Sequence, residues 1–172
     1  MNELLREWAQ AIGASAPHDW VVYLLRNVPG LPPIVQTIHI VCVALIVASI
    51  VFIHLRILGV AVPSQRLDEM CHRLLPWMWW ALPGLLLSGS VFILARPRRY
   101  FLNPVFGIKM LSITIVLILT VVMVKLLNRT FRSQQAPTLS IKIISIASIA
   151  LWLLTMLAGR WIAYAEYLFP LS

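Results

Sequence analysis

Charge is scarce in this chain, and acid is scarcer still. Asp and Glu together number six among 172 residues, and charged side chains of both signs make up 12%, about half the share of a soluble domain. A surface so poor in charge cannot face water over most of its area. Glu3, Glu7, Asp19, Asp68 and Glu69 fall outside the apolar segments and Glu166 falls at the end of the last one, so paired catalytic carboxylates are missing. The intramembrane acid usual in a proton-coupled carrier is missing too. No GxSxG turn offers a nucleophile elbow. The two cysteines, Cys42 and Cys71, sit near opposite membrane faces if their segments cross fully, which argues against a disulfide between them. Residues 1–17 lack the basic opening and compact apolar core of a cleaved signal, so the first long segment is expected to stay in the mature chain.

What the sequence has instead is four long apolar segments. No charged residue occurs from Asn27 to Leu55, Leu74 to Ala95, Met110 to Val124 or Ile143 to Gly159. With its flanks, each is long enough for the ~20 helical residues that cross a hydrocarbon core. The expected architecture is all-α: a polytopic membrane protein built as an antiparallel four-helix bundle, with N-terminal interfacial amphipathic helices over residues 1–32 and spans near 34–58, 74–94, 105–127 and 142–164. Asn2 is placed to cap a first short helix with Leu4, Leu5, Trp8 and Ile12 on one face, and a second is expected to open at Asp19 and end at the Pro29-Gly30-Leu31-Pro32-Pro33 breaker.

The net charge of +8 does not point to nucleic acid, because no basic patch alternates with aromatics on a polar scaffold. The basic residues lie mainly at segment ends, where they suit lipid headgroups and sidedness. Arg6, Arg26, Arg96, Arg98, Arg99, Lys109 and Arg160 fall on the side of the termini. Arg56, Arg66, Arg73, Lys125, Arg129, Arg132 and Lys142 fall on the other. That balance leaves orientation nearly undetermined, and we expect both termini on one side, by a narrow margin the outer side of a bacterial inner membrane.

Helices in lipid associate through small residues and interhelical hydrogen bonds, so those residues mark the seams. Ser145, Ser148, Trp152, Thr155 and Gly159 recur at steps of three and four along the fourth span, and Gly84 and Ser88 form a small-xxx-small pair in the second. At 100° per residue, Gln36, His39, Cys42, Ser49 and His54 share an arc of roughly 140° on the first span. Lys109 and Ser112 share a face of the third. A lysine one turn inside the membrane commonly snorkels, and Lys109 could also pair with Glu166.

The histidines decide whether a cofactor is plausible. His39 lies about two turns inside the terminus-side boundary, where an imidazole must hydrogen-bond to Ser, Gln or a carbonyl across helices, or ligate a metal. His54 and His72 end up on one side of the membrane, and Met70-Cys71-His72 adds soft donors suited to cuprous copper. Trp77, Trp79 and Trp80 read as interfacial anchors.

Taken in order, Pro33 and His39, Leu55-Arg56-Ile57-Leu58-Gly59, Leu75-Pro76-Trp77, Ser88-Gly89, Tyr100, Asn103-Pro104, Phe106, Lys109 and the closing Gly159-Arg160-Trp161-Ile162-Ala163-Tyr164 resemble an uncharacterised family of small four-span bacterial membrane proteins. That family is itself distantly similar to the membrane domain of copper-resistance D proteins. The resemblance implies an inner-membrane bundle and a role for the first-span histidine in the remote copper-handling relatives. An acidic residue is common in the family just before Leu55-Arg56, where this chain carries His54.

Three functional expectations follow. The first is a redox centre, haem b or copper, held by His39 inside an oligomer, with Lys109 and Arg160 offering positive charge to it and His54 and His72 as a further metal pair. The second is a cofactor-free accessory or assembly subunit of a larger membrane complex. The third is a small-solute pore or carrier. Whether the protein is an enzyme stays open.

Overall fold

The computed structural model describes residues 2–133, 136–162 and 164. Among them there are seven helices and no strand: α1 (Asn2–Gly13), α2 (Ala16–Asn27), α3 (Leu31–Leu58), α4 (Leu67–Ala95), α5 (Pro97–Phe101), α6 (Pro104–Ser133) and α7 (Leu139–Trp161). Helices α3, α4, α6 and α7 are long and apolar enough to cross a bilayer, and the protein is an integral membrane protein of the all-α class.

Helix boundaries follow from backbone chemistry. Gly30, at φ 80°, turns the chain into α3 in a left-handed conformation that suits a residue without Cβ. Pro32 and Pro33 then sit in the first turn, where a missing N–H costs nothing. The breaker is therefore shorter than its two final prolines suggest, and the helix starts at Leu31. Gly59, at φ 75°, ends the same helix, its N–H donating back to the Arg56 carbonyl at 3.1 Å. Helix α2 opens at Ala16, three residues before Asp19, with Pro17 in its first turn. Helix α4 opens at Leu67, seven residues ahead of its apolar run, with Asp68 and Glu69 in the first turn where acids favour a helix N-terminus.

The four long helices form two antiparallel hairpins, α3 with α4 and α6 with α7. The hairpins join mainly through α3 against α7, while α4 and α6 barely touch. Two apolar clusters hold the bundle. One gathers Ile53, Ile57, Met70, Cys71, Met123, Leu127 and Ile141 from all four helices. The other gathers Ile46, Ile50, Met78, Ala81, Val116 and Trp152, again from all four. Between 22% and 33% of positions in the apolar windows are enclosed, so the greater part of this apolar surface is left for lipid. Trp77, Trp79 and Trp80 are exposed among it, as anchors would be.

Helices α1, α2 and α5 cap the terminus-side end. Ala9, Val21 and Pro97 are their buried residues, while Leu4, Trp8, Trp20 and Tyr23 face outward. His18 Nδ1 donates to the Leu94 carbonyl at 2.6 Å and ties α2 to the end of α4. Asn103 organises the corner between α5 and α6: its Oδ1 accepts the Val105 N–H at 2.9 Å and its Nδ2 donates to the Ile162 carbonyl at 3.4 Å. Tyr100 and Phe106 meet edge to face beside it, 5.4 Å between centroids, over Val105, Ala158 and Ile162. Burial raises the Tyr100 phenol above its ordinary value, against the pull of Arg99 and Arg96.

Candidate functional site

Small residues on α4 let α3 approach. A Cβ on Gly84 would stand 2.8 Å from Cys42 Sγ, and one on Gly89 would stand 3.4 Å from His39 Cε1, so two side chains of one α3 face lodge against two glycines of α4. Ser88 lies between them and is buried. Its hydroxyl has one proton, which goes to the Gly84 carbonyl at 2.6 Å, with the Leu85 carbonyl at 3.2 Å as a second acceptor. The contact of 3.0 Å between Ser88 Oγ and His39 Nδ1 must then be donated by the imidazole. His39 is thus the Nδ1–H tautomer when neutral, and its Nε2 keeps a lone pair. The ring is half-buried and meets Phe92 edge to face at 5.9 Å.

Lys109 reaches the same region from α6. Its stem lies on Gly159 of α7, where an added Cβ would meet Nζ at 3.6 Å. Among the described residues it forms no ion pair. The expected partner Glu166 lies outside the described residues. Arg160, at the exposed end of α7, turns instead toward Tyr164, with its guanidinium 5.6 Å from the ring centroid and Nη2 3.5 Å from the hydroxyl. His39, Ser88, Gly89, Phe92, Lys109 and Gly159 therefore occupy one half of the bundle, and Arg160 stands at its rim.

The other histidines are arranged differently. His54 is fully enclosed, at 0% exposure, and neither ring nitrogen has a hydrogen-bond partner among the described residues. It lies 15 residues beyond His39, about 22 Å along α3. His72 is exposed, while its neighbours Met70 and Cys71 are buried in the apolar cluster with Ile53 and Ile57. No group of three His, Cys, Asp or Glu side chains converges among the described residues.

The serine and threonine stripe of α7 does turn inward: Ser145, Ser148, Trp152 and Thr155 are all buried. So are Ser112 and Thr120 on the Lys109 face of α6. These hydroxyls do not glue helices together. Ser49, Thr120 and Ser145 donate to carbonyls four residues back in their own helices, and Ser148 Oγ, Trp152 Nε1 and Thr155 Oγ1 have no partner among the described residues. Phe92 is the site residue that sequence reasoning missed. It falls one turn beyond Ser88, and a phenylalanine in an apolar run carries no mark of its own.

The chain belongs to a family of unknown function, DUF6644, which matches residues 15–165 and so takes in α2 to the end of α7. No curated protein and no solved structure matches the chain.

Proposed function

We propose that this member of the family holds a redox-active group in the bilayer through His39, and that the group is haem b or copper. The supporting observation is the polarity of one hydrogen-bond chain. Because Ser88 spends its proton on the Gly84 carbonyl, it fixes His39 as an Nδ1 donor and leaves Nε2 with a lone pair and no hydrogen-bond partner among the described residues. A metal-ligating histidine is commonly oriented in this way by an acceptor on its second nitrogen.

A single histidine donor would suit haem more closely than a closed copper site, which would take several protein ligands. Cys42 shares the α3 face of His39, but its sulfur is packed on Gly84. Any second histidine donor would come from outside the protomer, since His54 lies about 22 Å further along the helix and His18 is held at the Leu94 carbonyl. Such a group supplies reversible one-electron transfer. For its part, the chain would ligate through Nε2, with Ser88 and Gly89 fixing the ring and Phe92 beside it, and Lys109 and Arg160 would offer positive charge to an anionic substituent.

Optical and elemental analysis of the detergent-solubilised protein tests this reading. We expect a Soret band or stoichiometric copper, lost in His39→Ala and kept in His18→Ala. Ser88→Ala retains the ligand but releases the ring, and should shift the band without abolishing it. A colourless, metal-free wild type that copurifies with larger subunits would overturn the proposal and leave an accessory subunit.

A further inference from the structure

At the terminus-side end, α1 and α5 flank an open groove of about 660 Å³ lined by Ala9, Gln10 and Gly13 of α1, Ala14 just beyond it, His18 of α2, and Arg96, Pro97, Arg98 and Arg99. Its volume is in the range of small-molecule sites. Three arginines and a histidine line it, and among the described residues no acidic residue does. Arg99 is already engaged. Arg96 and Arg98 are exposed, and no hydrogen bond or ion pair occupies their side chains among the described residues.

The position of the groove selects the anion. Arg96 directly follows the last residue of α4, and α5 ends three residues before α6 begins; the groove therefore lies at the level where two spans leave the hydrocarbon and phosphodiesters are concentrated. The opposite wall is Ala9, Gln10, Gly13 and Ala14, mostly small side chains that let a headgroup come close to both arginines. The outer side of the same cap carries exposed Leu4, Trp8, Trp20 and Tyr23, an apolar and aromatic surface suited to acyl chains and the carbonyl region.

We propose that the α1–α5 groove is a binding site for the headgroup of an anionic phospholipid, with Arg96 and Arg98 holding its phosphate. His18 keeps the wall in place through its bond to Leu94 and does not need to touch the lipid. The site is distinct from His39, so its failure would leave the redox reading intact.

Native mass spectrometry of the full-length protein, titrated with phosphatidylglycerol, phosphatidylcholine or inorganic phosphate, tests the proposal. Wild type should retain one phosphatidylglycerol in preference to phosphatidylcholine, and the preference should weaken as salt rises. Removing two charges from a phosphate site at about 1 kcal/mol each lowers affinity roughly thirty-fold, and Arg96→Gln/Arg98→Gln should show that loss. Lys125→Gln/Arg129→Gln, at the opposite end of the bundle, should not. Ala14→Phe keeps every charge and fills the groove, so it should also lose the lipid. Equal retention of phosphatidylcholine by wild type, or phosphatidylglycerol retained in both Arg96→Gln/Arg98→Gln and Ala14→Phe, would overturn the site. Displacement of the lipid by inorganic phosphate at equal concentration would overturn its assignment to a lipid.

Discussion

His54 carries an enclosed imidazole with two unpaired nitrogens, and an unpaired buried polar group costs about 1–3 kcal/mol. His54→Leu removes that cost while roughly keeping volume, so it should be neutral or raise stability by up to about 2 kcal/mol, read as the thermal midpoint in detergent. A clear loss of stability would mean that the ring has a partner in the membrane. Gly84 makes the opposite case. A Cβ there would meet Cys42 Sγ at 2.8 Å, so Gly84→Ala should destabilise by about 1–3 kcal/mol, and Cys42→Ala should recover most of the loss in a double-mutant cycle. The sequence marks Gly84 and Ser88 as a close approach because small residues four apart are how helices in lipid come together. It does not separate Gln36 from His54, which share one arc of α3. The fully buried positions of α3 run from Ile46 to Ile57, whereas Gln36 is exposed and His39 half-buried.

Element by element, the four spans were legible from charge-free runs, but their helical ends were not. A charge marks where hydrocarbon ends, whereas a helix continues into water as long as its backbone groups are paired. Helix α4 therefore starts at Leu67, where Arg66 bonds Asp68 at 2.8 Å, and α6 runs on to Ser133, past the expected end at Leu127. The Asn103-Pro104 pair was recognisable as a motif, yet its work is structural: it caps α6 and ties that helix to the end of α7. Asn103→Ala should cost about 1–2 kcal/mol, the usual worth of an N-cap, and should speed proteolysis between α5 and α6. Asn103→Asp keeps the cap acceptor and should recover a good part of the loss. A variant with unchanged stability would show that water serves this corner equally well.

For the whole molecule, sidedness is what the sequence could not supply. Seven basic residues stand at each end, and a rule that reads orientation from basic excess has nothing to weigh when the excess is nil. The architecture still makes a firm claim about relative sides. Ser64, in the turn between α3 and α4, and Ala16, at the start of α2, are both exposed and are separated by the whole of α3, which at 28 residues rises about 42 Å, more than the hydrocarbon core. Ser64→Cys and Ala16→Cys should thus react with a membrane-impermeant maleimide from opposite sides of the membrane. The native thiols should stay silent, because Cys71 is buried and Cys42 is packed at Gly84 within the span. Labelling of both introduced cysteines from one side would contradict a fully crossing α3, and with it the placement of His39 at lipid depth on which the redox proposal rests. Labelling from opposite sides would also decide which face presents Arg96 and Arg98, since α5 and α1 pack at the same end of the bundle.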